Sequence, residues 1–163
     1  MLPQTTAAWA TVLLCVVAAA LEGLCAGRGV RAFFETLRFP RYSAPLWVWS
    51  IIGIVYYAIF GFVVFRLLSL TPPSALAGGA ITVIVTMMVG NALANLVIFR
   101  ARNLRLSYVI GIMFAGLDVL VIGFVVRLDS VAARALLPYL VYRVYAVWWG
   151  RALMKLNPQS GRK

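Results

Sequence analysis

The sequence has no histidine, only two cysteines (Cys15 and Cys25) and only four acidic residues (Glu22, Glu35, Asp118 and Asp129). Without histidine, the common zinc sites, haem–histidine ligation and Cys–His catalytic pairs are excluded. Both cysteines fall in the first apolar segment, where a thiol is most simply a small packing group, and they leave the redox compartment open. Charge of either sign is scarce: 12% of the 163 residues are charged and 64% are hydrophobic, with a mean hydropathy of +0.97. A soluble domain of this size is not built from so few charges. The composition points to an all-α integral membrane protein folded as one domain over 1–163.

What is present is a series of apolar runs. The clearest runs without a charge from Leu46 to Phe65 and closes on Arg66, behind a loop marked by Pro40 and Pro45 and edged by Trp47 and Trp49. About 20 apolar residues at 1.5 Å each make roughly 30 Å, the thickness of a bilayer's hydrocarbon core. Pro45 suits the first turn of a helix, and the tryptophans suit the headgroup level. Four further runs look alike, so the expected spans are 7–26, 46–65, 76–99, 106–126 and 135–156, a bundle of five transmembrane helices. A cleaved signal peptide would need a basic leader, and no Lys or Arg precedes Arg28. A short loop through Thr71, Pro72 and Pro73 is expected between the second and third spans. The longest connection, 27–44, mixes arginines with Phe33, Phe34, Phe39 and Tyr42; it reads as a pocket lid or as an interfacial loop held by its aromatics.

The net charge of +11 would suit nucleic acid if the basic residues covered a polar face, but they lie between apolar runs and exclude that partner. With five spans, one side collects Arg28, Arg31, Arg38, Arg41, Arg100, Arg102, Arg105, Arg151, Lys155, Arg162 and Lys163, and the other only Arg66, Arg127 and Arg134. The positive-inside rule then puts the C-terminus in the cytoplasm and the N-terminus outside. A short tail and the lack of an organelle presequence point to a bacterial plasma membrane, with a mitochondrial outer membrane as the alternative. Along the third span Gly78, Thr82, Thr86, Gly90 and Ala94 recur every four residues. Such a row of small side chains is expected at a homodimer interface, or equally at a helix contact within the monomer.

Two charges stand where none should. Asp118 lies nine residues before Arg127, and Arg143 nine residues after Arg134, so both sit roughly 13–14 Å below the same surface on antiparallel neighbours. A bare charge at that depth costs at least ~2.5–3.5 kcal/mol. The two are therefore expected to pair, with Asn91 at a similar depth. Such a pair either anchors an anionic ligand or only fixes helix order.

From residue 39 to 157, ordered motifs bear a family likeness. The run Phe39-Pro40-Arg41-Tyr42-Ser43-Ala44-Pro45-Leu46-Trp47-Val48 through Tyr57 resembles the start of the second helix of the translocator protein family. This is the TspO/MBR family, also known as tryptophan-rich sensory proteins or peripheral benzodiazepine receptors, with K/x-P-x-W-x-P-P-x-W-V-F/L followed by W-x-x-L-Y. Asn91 matches its third-helix Asn, and Leu137-Pro138-Tyr139-Leu140, Ala146 and Leu156-Asn157 match its fifth-helix pattern. The resemblance implies a five-helix bundle, often homodimeric, with a pocket capped by the first loop. It implies ligands such as protoporphyrin IX, haem, cholesterol and benzodiazepine-type drugs, with no required cofactor. Carried over by position, the pocket would include Trp47, Val48, Trp49, Tyr57, Asn91, Tyr139, Tyr142, Arg143 and Ala146.

The departures from the family are specific. Its Trp four residues before Tyr57 is Gly53 here, the Trp of PYLxW is Tyr142, the third-helix Trp is Ala94 and the fifth-helix Asn is Gly150. Porphyrin degradation by some bacterial members is tied to tryptophans at the Gly53 and Tyr142 positions, so the resemblance does not carry that activity to this chain. The Tyr of the family's cholesterol motif is Arg151, with a shifted match at Val141, Tyr145 and Arg151.

The resulting expectation is a non-enzymatic membrane protein that senses or transports a porphyrin/haem-like or sterol-like apolar molecule. Aromatic residues would bury the ring, Arg38 and Arg41 would meet its propionates, and Asp118 and Arg143 would supply a polar anchor. The alternatives are a dimeric structural or regulatory subunit without a small ligand, and a porphyrin-degrading enzyme.

Overall fold

The computed structural model describes residues 3–70 and 74–158. Among them there is no strand. The helices are α1 (Gln4–Ala26), α2 (Val30–Glu35), α3 (Leu46–Leu68), α4 (Ala75–Asn95, continued by a π-helical turn Leu96–Arg100), α5 (Leu104–Leu128), α6 (Ser130–Ala135) and α7 (Leu137–Leu156). The expected loop through Thr71, Pro72 and Pro73 lies outside the described residues, as do Arg162 and Lys163.

Local chemistry sets the ends. Ser74 and Asn103 cap α4 and α5, their side chains accepting from the Ala77 and Leu106 N–H groups. Helix α1 stops at Gly27, whose φ of 71° is left-handed, and Arg100 donates to the Leu24 carbonyl at 2.6 Å just before that stop. Pro138 occupies the first turn of α7, where its missing N–H costs nothing.

Two stretches read as loops in the sequence are partly helical. The connection 27–44 contains α2, and 127–134 contains most of α6. Six residues hold less than two turns, too few for hydrophobic periodicity to register; a cap and burial make the difference. Asp129 caps α6, its Oδ1 accepting from the Val131 and Ala132 N–H groups at 2.8 and 3.1 Å. Its Oδ2 accepts from Arg66 at the end of α3, with contacts of 2.7 and 2.6 Å.

Four helices, α1, α3, α4 with its π turn, and α5, are long and apolar enough to cross a membrane. Only 17–33% of the residues in their apolar windows are buried inside the bundle, so most of the apolar surface must meet lipid. Helix α7 is as long as a span but carries Arg143, Arg151 and Lys155, which sets it apart from those four.

Helix α1 packs on α3 and α4, α4 on α5, and α5 on α7. Gly61 lets α1 approach α3: a Cβ there would stand 3.0 Å from the Cys15 sulfur. The half of the bundle next to α6 is solid, filled by Phe60, Val63, Val64, Leu67, Ile84, Met87, Met88, Val121, Val125 and Leu136. The half under α2 is not. There a smaller cluster, Phe33, Phe34, Leu104, Trp149 and Leu153, seals the end.

Asp129 generates a stability prediction. Burial pushes its carboxyl up, but the Ala132 N–H, the Arg66 guanidinium and the Val131 N–H outweigh that and hold it below its ordinary value. A depressed native value means that the stabilisation is complete above the ordinary aspartate value, about 3.9, and is lost as pH falls through the native one. Asp129→Ala is expected to cost about 1–3 kcal/mol by removing the cap and orphaning Arg66. Thermal melts in detergent should show Asp129→Asn less affected, and with a shallower loss of stability below about pH 4 than the parent. Identical acid profiles for parent and Asp129→Asn would refute the assignment.

Candidate functional site: a cavity in the α2-side half of the bundle

The hollow half holds a partly open cavity of about 660 Å³ walled by α1, α3, α4, α5 and α7, with Phe34 of α2 also in its lining. That is the size range of small-molecule sites. It exists because α3 and α7 meet mainly through large rings. Trp49 lies 6.3 Å from Tyr142, 6.1 Å from Tyr145 and 4.5 Å from Trp149, centroid to centroid. Tyr139 lies 5.7 Å from Tyr56 and 4.8 Å from Phe60. Aromatic pairs at these separations attract while holding the backbones apart.

At the inner end, Asp118 of α5 and Arg143 of α7 form the expected ion pair, Nε to Oδ2 at 2.6 Å. Asp118 is 3% exposed. Arg143 also donates to the Tyr139 hydroxyl, and its guanidinium sits 5.4 and 5.1 Å from the ring centroids of Phe114 and Tyr139. A planar guanidinium shared between a carboxylate and two ring faces is well held. Two buried atoms here, Asp118 Oδ1 and the Tyr56 hydroxyl, have no hydrogen-bond partner among the described residues.

Nearer α2, a second polar cluster joins α1, α3 and α4. The Glu22 carboxylate accepts from the Tyr57 hydroxyl and from the Asn95 amide, each at 2.7 Å. Above it, the connection to α3 is stitched down by aromatic residues. Tyr145 accepts from the Ala44 N–H at 3.2 Å and donates to the Tyr42 carbonyl at 3.0 Å. Trp149 donates to the Ser43 hydroxyl at 2.8 Å, and Trp49 to the Ala44 carbonyl at 3.1 Å. Asn157 holds both the N–H and the C=O of Arg38, each at 2.9 Å.

Of the residues singled out in the sequence, Trp49, Tyr57, Asn91, Tyr139, Tyr142, Arg143 and Ala146 line this cavity, with Asp118 behind Arg143. Trp47 and Val48 do not. At 100° per residue, a helix that turns Trp49 inward turns Trp47 nearly opposite, and Trp47 is 65% exposed. Arg38 and Arg41 are also absent from the wall: both are exposed, and Arg41 leans on the Tyr42 ring. The expected meeting of those arginines with ligand propionates is therefore not provided by this cavity. The small-residue row is divided as well. Gly78, Thr82 and Thr86 face outward, whereas Gly90 is covered by Phe114, 3.0 Å from where a Cβ would be, and Ala94 lines the cavity. Positions four apart advance 40° per step, so a five-member row wraps too far to serve one interface.

Glu22 and Asn95 were not among the site residues expected from sequence, nor was Trp149. Asn95 stands one turn beyond Asn91 on the same face, and that spacing was the available signal. At the position of the family's Trp, Gly53 opens on the cavity, with nothing within 4 Å of an added Cβ.

A family model, TspO/MBR family, matches residues 11–150, most of the chain. A search of curated proteins found no match.

The ion pair yields a direct test. Arg143→Leu leaves a buried carboxylate without its partner and is expected to cost about 3–5 kcal/mol in detergent melts. Asp118→Leu combined with Arg143→Leu should recover most of that loss, because an apolar pair needs no compensation. A single variant as stable as the parent would show that the pair carries no such load.

Proposed function

The chain belongs to the TspO/MBR family, and from that membership we propose that it is a membrane ligand-binding protein for a flat, largely apolar ring molecule. Porphyrin/haem-like and sterol-like rings are the two classes proposed, for sensing or transport. The observation that carries the reading is the aromatic-walled cavity of about 660 Å³ inside an apolar bundle. Burying a ring there removes apolar surface from water or lipid headgroups, while Trp49, Tyr142 and Tyr139 offer faces for stacking.

In this reading α7 crosses as the fifth span, its cations kept near the ends or paired inside, and the excess of arginines on the side of 27–44 supports a cytoplasmic C-terminus; a bacterial plasma membrane is the proposed location, with a mitochondrial outer membrane as the alternative. The outward part of the small-residue row, Gly78, Thr82 and Thr86, is the proposed contact of a homodimer. No catalytic role is proposed, because Gly53 and Tyr142 replace the tryptophans tied to porphyrin degradation in the family.

The test is a titration of the purified protein in neutral detergent with protoporphyrin IX dimethyl ester, following tryptophan fluorescence. Saturable quenching is expected. Trp49→Phe should weaken binding by roughly 1 kcal/mol, about fivefold, and remove much of the quenching, while Trp47→Phe leaves both unchanged. Quenching that never saturates, or that depends on Trp47 rather than Trp49, would remove the cavity as the binding site.

A further inference from the structure

Ring size alone leaves the polar end of the ligand unspecified, and the cavity wall supplies its sign. Glu22 is the acidic residue in that wall, and each of its oxygens accepts one hydrogen bond, from Tyr57 and from Asn95. Both partners are neutral, so these hydrogen bonds bring no countercharge to the carboxyl group. A carboxylate has about four lone-pair sites, which leaves room for a further donor.

The cation in the same wall is Arg143, deeper in the bundle, and Asp118 at 2.6 Å already matches its charge. Arg38, Arg41 and Arg100 are not in the wall; Arg100 donates to the neutral Leu24 carbonyl and keeps its charge outside the lining. Along the lining, Glu22 is the acidic group without a cationic partner. Tyr57, Tyr142 and Trp49 line the same cavity, and Tyr57 meets Glu22 through its hydroxyl. A carboxylate among aromatic rings attracts an organic cation twice, by charge and by the ring quadrupoles.

We propose that the cavity selects flat apolar ligands whose polar end is a cationic amine, seated against Glu22 and the rings beside it, and discriminates against the same ring carrying a carboxylate. The proposal rests on the ring-binding reading above and narrows it to one class of end group. Free-acid tetrapyrroles fall on the disfavoured side, and amine-bearing or neutral rings on the favoured side.

Three pyrenes that differ only in the end group test it: 1-pyrenemethylamine (an ammonium at neutral pH), 1-methylpyrene and 1-pyreneacetate. Binding to the full chain in neutral detergent is read by energy transfer from tryptophan to pyrene. The ammonium is expected to bind at least about tenfold more tightly than methylpyrene, the gain of one charge-assisted contact, and the carboxylate most weakly. In Glu22→Gln, which keeps an acceptor for Tyr57, the ratio of ammonium to methylpyrene affinity should fall to about one. A parent that binds the carboxylate as tightly as the ammonium overturns the proposal without any variant, as does a preference that survives Glu22→Gln. Methylpyrene binding separates the two readings: if it saturates while the end groups are not distinguished, ring binding stands and the cation preference falls. If no pyrene saturates, both fall.

Discussion

Placing a carboxylate and a guanidinium deep in an apolar bundle ties the rest of the structure together. Asp118 and Arg143 are each intolerable alone at that depth, and at 2.6 Å they fasten α5 to α7 in a single register. That register aims Tyr139, Tyr142 and Ala146 at the space in front of α3. Were the pair to slip by one residue, the inward face of α7 would turn by about 100° and the aromatic wall would leave the cavity. The ion pair contributes direction as well as attachment.

Aromatic size does the second part. Helices with small residues at their contact close on one another, as α1 and α3 do at Gly61, whereas α3 and α7 are held apart by Trp49, Tyr142, Trp149, Tyr56 and Tyr139. On the α6 side the interior fills with aliphatic residues and methionine. On the α2 side the rings stand as pillars and the interior remains open. One chain thus combines a packed half that supplies rigidity with a hollow half that supplies a site.

The long helices were legible because hydrophobic runs of this length have few other uses, and their ends lie within a few residues of the expected runs; four of them are long and apolar enough to cross a membrane. The Asp118–Arg143 pair was legible too, since counting from Arg127 and Arg134 gave both charges the same depth. The face of α3 was less so. Trp47, Val48 and Trp49 are adjacent in sequence, and only packing decides which of them turns inward. Glu22 and Asn95 stand 73 residues apart in sequence, and nothing in either segment alone states that α1 lies on α4. Applying the same depth count to Glu22, four residues from the end of α1, and to Asn95, five before Arg100, places them at a common level. Short helices α2 and α6 depended on burial and on an Asp129 cap, which periodicity does not reveal.

The hydrogen bonds that hold the connection before α3 have a kinetic consequence. Their donors and acceptors on the helices are Trp49, Tyr145 and Trp149, in or beside the cavity wall, and Asn157 at the end of α7. Lifting that strap means releasing several of them together, a concerted event on the microsecond-to-millisecond scale of loop and lid motions rather than a side-chain flicker. A molecule leaving by that route would wait for the strap, so its residence time would be set by the protein's opening rate and would vary little with the strength of its own contacts. Affinity differences among ligands that use this exit would then surface in how readily each is captured during the brief open intervals.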